Sequence, residues 1–352
     1  MKLTRRTFIE RLTLSGGSLL LASCAGAEAP RPLSGEWKPA YEKLEAEGKL
    51  AERIEQANAI FESCTLCPRR CGVNRLNGEM GFCRAPADPV VFSHHPHFGE
   101  EVPLVGDRGS GTIFFSNCNL RCVFCQNYPI AHEGRGRKIT VNQLADMMLD
   151  LQRRGCHNIN VVTPTHVMPN ILSATRVALK KGLHLPICYN TGGYERVENI
   201  ELLDGIVDIY LPDLKYMDGE QATKYSADAS DYPEMAQEAI SEMHRQVGTL
   251  VTDERGIALR GLMVRHLVMP NRVAGTREFV NWVSNNLSKD TYVNIMSQYR
   301  VEHRAFEYPK IARAITSEEY LEALEWAEDA GLHNLDCRSV ARRQIFQRRS
   351  FF

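Results

Sequence analysis

The chain has 352 residues, 43% of them hydrophobic and 24% charged, with 42 Lys and Arg against 43 Asp and Glu. This length can bury a substantial core in one large domain, or in one domain plus an appendage, and the balanced charge excludes the broad basic footprint of a nucleic-acid binder. The eleven cysteines are an odd number, so a closed disulfide framework cannot use them all.

The first element reads as an address. Arg5-Arg6 followed by Phe8 precedes an apolar stretch from Leu12 to Ser23 that is too short to span a bilayer, the layout of a signal peptide. The arginine pair resembles the twin-arginine export motif, a route for proteins already folded around their cofactors. Leu21-Ala22-Ser23-Cys24 resembles a lipobox and makes Cys24 a candidate lipid anchor. Residues 1–31 are thus expected to be leader and tether of an exported, membrane-anchored protein. The alternative is an unprocessed basic N-terminus on a cytoplasmic protein.

Residues 32–107 are expected to form an N-terminal helix and a metal-held segment. Tyr41, Leu44, Leu50, Ile54, Ala57 and Ile60 recur at helical spacing and predict a helix over Pro39 to Glu62. From Cys64 to Asp107, Pro, Gly, His and Cys dominate and predict irregular backbone. Cys64, Cys67, Cys71 and Cys83 supply four thiols, enough to close a tetrahedral zinc site or a complete [4Fe-4S] cluster. An auxiliary electron-passing cluster, a structural zinc and, in an exported protein, disulfides are all open. His94, His95 and His97 are either ligand or proton-transfer candidates or fillers of a strand or turn.

After Gly109-Ser110-Gly111 the texture changes. Short apolar runs at Thr112–Ser116, Ile159–Thr163, Pro186–Tyr189, Val207–Leu211, Leu262–Met269 and Tyr292–Met296 predict buried strands. Amphipathic stretches at Val141–Arg153, Ile171–Lys181, Tyr232–Val247 and Thr276–Leu287 predict helices between them. The alternation implies an α/β fold with a parallel sheet and right-handed crossovers, a partial (β/α)6 TIM-type barrel over residues 108–300 followed by a helical extension over 301–352. Chemistry in such barrels collects at the carboxyl ends of the strands. Cys156, Cys188 and Cys337 stand alone and are expected to be buried small hydrophobes.

Cys118, Cys122 and Cys125 lie on one loop directly after the first of these strands. An iron-sulfur cubane ordinarily takes four cysteines, so three leave one iron open for chemistry. A structural zinc loop completed by a distant His or Cys is the competing reading.

The spacing of three residues and then two, on the loop after the first strand of an α/β barrel, resembles the radical S-adenosylmethionine superfamily. The resemblance implies a [4Fe-4S] cluster whose open iron is chelated by the methionine end of S-adenosylmethionine, a one-electron reductant, and cleavage to a 5′-deoxyadenosyl radical that abstracts hydrogen from a substrate. It extends over roughly residues 60–300 and is nearest the pyruvate formate-lyase activating enzymes and their uncharacterised branch, through His97-Phe-Gly-Glu-Glu101, Pro103-Leu-Val-Gly106 and Gln126-Asn127-Tyr128. By that resemblance Phe124 lies against adenine, Asp213 and Lys215 beside the cofactor as in an Asp-Leu-Lys motif, and Arg265 and Leu267 on the strand that contacts it. A surface ion pair is the other reading of Lys215. The substrate implied is a glycine of a partner protein, which becomes a glycyl radical. The rival from another class is an exported, non-catalytic iron-sulfur electron-transfer or metal-binding lipoprotein.

Three positions depart from the activase pattern. Thr163-Pro164-Thr165-His166 stands where Gly-Gly-Glu would meet the methionine amino group, and Thr hydroxyls can accept those bonds. Asn190-Thr191 stands for an Asp-Thr pair near a cation, and Ser297-Gln298-Tyr299 occupies the place of a His.

Overall fold

The computed structural model describes residues 37–341. The leader expected at residues 1–31, with Arg5, Arg6 and Cys24, lies outside the described residues. Among those described, no helix is long and apolar enough to cross a membrane.

Two helices open the described chain, α1 (Ala40–Ala46) and α2 (Lys49–Ala59). The single helix expected over 39–62 is broken at Gly48, whose φ of 75° lies in the left-handed region. The turn lets Tyr41 and Leu50 both reach the core, where they are fully buried. Asp208, at the start of a central strand, receives the Ala40 and Ile187 N–H groups on its two oxygens (2.9 and 3.1 Å) and ties α1 to the sheet.

The segment from Cys64 to Asp107 is less irregular than its composition implies. It contains β1 (Val90–His97) and a single helical turn, α3 (Val102–Val105). β1 pairs antiparallel with β2 (Ser110–Phe115), so this segment joins the main sheet rather than standing apart. Histidines and Pro96 disguise the strand. The outer neighbour, β3 (Arg137–Lys138), pairs with β1 only at Val90 and Val91, so Pro96 has no outer ladder bond to lose. His94, His95 and His97 are accordingly strand residues.

The core follows the predicted alternation. β2, β4 (Ile159–Val162), β5 (Ile187–Thr191), β6 (Ile209–Pro212), β8 (Ala258–Leu267) and β9 (Tyr292–Met296) pair in that order, all parallel. The short β7 (Val251–Thr252) is antiparallel to β8. After the short α4 (Tyr128–Ala131), the crossovers run through α5 (Val141–Arg153), α6 (Met168–Leu179), α7 (Val197–Glu201), α8 (Gly219–Tyr225), α9 (Tyr232–Val247) and α10 (Thr276–Asn286). α5 starts at a reciprocal capping box between Thr140 and Gln143, which satisfies two N–H groups that would otherwise lack partners. Its Leu144, Met148 and Leu151 are fully buried. In the C-terminal extension one long helix, α11 (Ser317–Asp329), packs on α10. Leu335 then forms a parallel bridge to Val293 of β9.

The result is an α/β fold with a mostly parallel curved sheet, whose strands end together on one side. Cys156 and Cys188 are buried as expected, whereas Cys337 is only half-buried.

Candidate active site

The loop that leaves β2 carries Cys118, half-buried, Cys122, buried, and Cys125, half-buried. Asn117 (φ 77°) and Arg121 (φ 49°) both take left-handed conformations, which curl the loop tightly at the strand end. The three thiols act on one another electrostatically. Two sulfurs receive donors from the protein, with the Leu120 N–H at 3.4 Å from Cys118 Sγ and the Ser226 hydroxyl at 3.0 Å from Cys122 Sγ. Burial pushes the Cys122 thiol up to about 11 and the Cys125 thiol up to about 12, so these sulfurs hold protons until a metal displaces them. Among the described residues no His, Cys, Asp or Glu group converges closely enough for a single metal ion. A cubane spreads its ligands more widely than one ion does, and three thiols with N–H and O–H donors at their sulfurs fit such a group.

Behind the loop runs a buried ion network. Lys215 pairs with Asp213, and Asp213 accepts the Arg265 Nε–H at 2.8 Å. Arg265 also donates to Asn190 and lies 3.4 Å from Glu100. Asp213 and Lys215 side chains are only 15% and 21% exposed, so this is not the surface ion pair of the alternative reading. Burial disfavours charge on Asp213, yet the Arg265 guanidinium and the Lys215 ammonium hold its carboxyl below the ordinary value. Lys215 likewise loses to burial but gains more from Asp213 and Cys122, so its ammonium is held protonated beside the thiol loop. Arg265, though buried, is kept charged by Asp213, Glu101 and Glu100. It faces these carboxylates and joins the network, with Leu267 half-buried farther along β8.

Phe124 is 7% exposed, edge-on to Tyr216 (6.3 Å between centroids) and tilted on Tyr299 (5.9 Å). Tyr299 thus packs against the loop, and the Gln298 carbonyl accepts from Gln126 at 3.0 Å. The Tyr232 hydroxyl lies 2.9 Å from the carbonyls of both Gly192 and Asp213 and accepts the Lys215 N–H at 2.9 Å, locking together the loops after β5 and β6. The sequence marks Tyr232 only as the start of a helix. A Tyr at that position carries no signal of its hydroxyl's partners.

The four-thiol lobe abuts this loop. Cys64 and Cys83 are buried, Cys67 is half-buried and Cys71 is exposed. Cys71 Sγ sits where a side chain on Gly81 would intrude, at 2.3 Å from an added Cβ. Cys67 and Asn119 share a hydrogen bond, and Arg121 lies within electrostatic reach of both Cys118 and Cys83. Arg69 donates to the carbonyls of Asn119 (3.2 Å) and Ser226 (3.1 Å). The buried Arg75 donates to the His166 carbonyl (2.7 Å), lies over the Phe61 ring at 4.6 Å, and pins the lobe to the barrel.

Residues 112–253 match the family described as Radical SAM superfamily. The chain is also 35% identical over 294 residues to an uncharacterized protein of Methanocaldococcus jannaschii, MJ0674, with 81% of this chain and 79% of that one covered. The chain belongs to the radical SAM superfamily. Membership implies a [4Fe-4S] cluster, S-adenosylmethionine and a reductant, and makes the protein an enzyme of radical SAM type. Two solved structures are similar in outline. One is methylornithine synthase, PylB (TM-score 0.40, 13% identity, 83% of this chain and 79% of that chain). The other is TYW1 with a lysine-pyruvate adduct bound (TM-score 0.37, 9% identity, 62% and 73%).

Proposed function

We propose that Cys118, Cys122 and Cys125 hold the family's [4Fe-4S] cluster, and that S-adenosylmethionine binds at the mouth of the barrel among Phe124, Asp213, Lys215 and Arg265. The observation that carries this reading is the three-thiol loop at the end of the first parallel strand, with the Lys215 ammonium beside Cys122. When bound, the group supplies one electron that breaks the sulfonium–carbon bond, leaving methionine and a 5′-deoxyadenosyl radical that takes a hydrogen atom from substrate. The chain's own part is to hold and shield. Lys215 offers an ammonium to an anionic or ribose oxygen, the ion network fixes that ammonium, and Phe124 offers an apolar face to a ring. Anaerobic reconstitution followed by dithionite and S-adenosylmethionine should yield 5′-deoxyadenosine. An intact cluster that yields none would leave the non-catalytic lipoprotein reading in its place.

Within the superfamily the reading nearest the sequence is the uncharacterised branch of the pyruvate formate-lyase activases, with a glycine of a partner protein as the hydrogen donor. A glycyl-radical signal in electron paramagnetic resonance of a co-purified partner is the result this predicts. Cys64, Cys67, Cys71 and Cys83 are assigned a second metal, a saturated [4Fe-4S] cluster that passes electrons to the neighbouring loop. Eight irons per chain support it, and four irons with one zinc would make the lobe structural instead. Export and anchoring through Cys24 predict that replacing Arg5 and Arg6 by Lys moves the protein from the membrane fraction to the cytoplasm.

A further inference from the structure

Glu195 is a buried carboxylate that the reading above leaves unused. It is 1% exposed, and its Oε1 accepts the hydroxyls of Thr165 (2.6 Å) and Thr191, with the Tyr189 hydroxyl against the same group. Asp213 and Glu100, by contrast, face the Arg265 guanidinium, and the buried Asp208 is met by two backbone N–H groups. Among the described residues no Lys, Arg or His acts on Glu195, and burial, only partly offset by the three hydroxyls, pushes its carboxyl up to about 7. A buried anion without a cation is costly unless a ligand brings one.

Its place in the fold says which ligand. Thr165 opens the turn after β4, and Thr191 ends β5. Between them and the thiol loop the contacts are direct. The His166 ring meets the Ser116 carbonyl at 2.7 Å, Asn119 donates to the Tyr194 carbonyl at 2.8 Å, and Gly192 sits where an added Cβ would be 3.0 Å from Leu120. Thr163, half-exposed on the same turn, holds a φ of 60°, which a β-branched residue adopts only under constraint. The Thr165 hydroxyl has one proton and gives it to Glu195, and the Tyr189 hydroxyl also lies against it, so what the oxygen has left to offer is a lone pair. The turn therefore suits a ligand group that is purely a donor and positively charged. S-adenosylmethionine, which family membership implies, carries one such group, its α-ammonium.

We propose that Glu195 is the positioning residue for the α-ammonium group of S-adenosylmethionine, acting through the Thr165 hydroxyl and the Thr163 turn. The inference rests on the cofactor reading of the preceding subsection. Glu195 supplies the compensating charge from behind, and Thr165 makes the contact.

The test measures binding of S-adenosylmethionine and of its analogue lacking the α-amino group to the anaerobically reconstituted full chain. Glu195→Gln should weaken S-adenosylmethionine by about 10- to 100-fold and leave the analogue unchanged. Thr165→Val should behave alike and Thr165→Ser should retain affinity. In the wild type, affinity for S-adenosylmethionine should fall as pH drops below about 7, because Glu195 then takes a proton, while the analogue shows no such fall. Of the groups around Glu195, Tyr189 and Tyr210 are held above their ordinary values and His166 is pushed down to about 3, so none of them titrates in that window. If Glu195→Gln weakens both ligands equally, or neither, the proposal is wrong. If that variant does not fold, the wild-type pH profiles of the two ligands decide. A wild type that binds neither ligand overturns the cofactor reading itself, whereas one that binds both equally well overturns only the role of Glu195.

Discussion

The two cysteine groups use the same ligand atom in contrasting settings. The loop with Cys118, Cys122 and Cys125 hangs from the end of a strand inside the parallel sheet, so its position is fixed by ladder bonds on both sides of β2. The lobe with Cys64, Cys67, Cys71 and Cys83 contains only short 3₁₀ turns and is held by side chains, chiefly Arg75 and Arg69. Three thiols on a rigid strand end leave a place for a ligand next to polar groups of β4 to β8. Four thiols on an irregular lobe would, under the proposed assignment, saturate a cluster and so leave it no open position. The two groups therefore differ in the number of thiols and in the stiffness of the backbone that carries them.

The contrast can be broken most severely at the loop. Cys118→Ala should abolish 5′-deoxyadenosine formation while iron or zinc at the lobe persists, as read by metal analysis of the same sample. Next in size is Gly193→Ala. Gly193 holds φ 82°, and an added Cβ would lie 2.2 Å from the Asp213 carbonyl oxygen, so the loops after β5 and β6 must separate. A loss of about 2–4 kcal/mol is expected in denaturant unfolding, together with weaker cofactor binding. Arg75→Met should act on the other side of the comparison. It strands the His166 carbonyl and the ring of Phe61, costs about 1–3 kcal/mol, and should lower metal content at the lobe with the loop's iron retained.

The smallest effect concerns pH. Glu195 has a folded value of about 7, above the ordinary 4.5, so its stabilising contribution is complete below about 4.5 and is lost as pH rises through 7. Glu195→Gln should therefore raise the ligand-free melting temperature at pH 8 and leave it nearly unchanged at pH 5, a difference of about 1–3 kcal/mol. A residual slope should remain, because Asp208 is also pushed up to about 7 by burial.

Much of this was legible in the sequence. Apolar runs marked all six parallel strands, to within a few residues at each end, because buried parallel strands are apolar on both faces. The three-cysteine loop was legible because its spacing and its strand context agree. β1 was not, since Ser93-His94-His95-Pro96-His97 has the composition of a loop and becomes a strand only by pairing with β2. The break at Gly48 was hidden by apolar spacing that runs on through it. Glu195 was invisible for a different reason. Its sequence neighbours, Gly192-Gly193-Tyr194, announce a turn, while its partners Thr165 and Tyr189 are brought in by two separate strands. Periodicity reports which face a residue occupies and says nothing of which hydroxyl will meet it there.

The line of contacts from Glu100 through Arg265 and Asp213 to Lys215 alternates in sign and ends at Cys122. Such a series titrates as one body, since neutralising any member leaves its neighbours with unbalanced charge. A charge gained or lost at the thiol loop is therefore felt as far as Glu100, in the turn that follows β1. The antiparallel strand that composition disguised thus leads into the far end of a charge series whose near end is the loop on its neighbour β2.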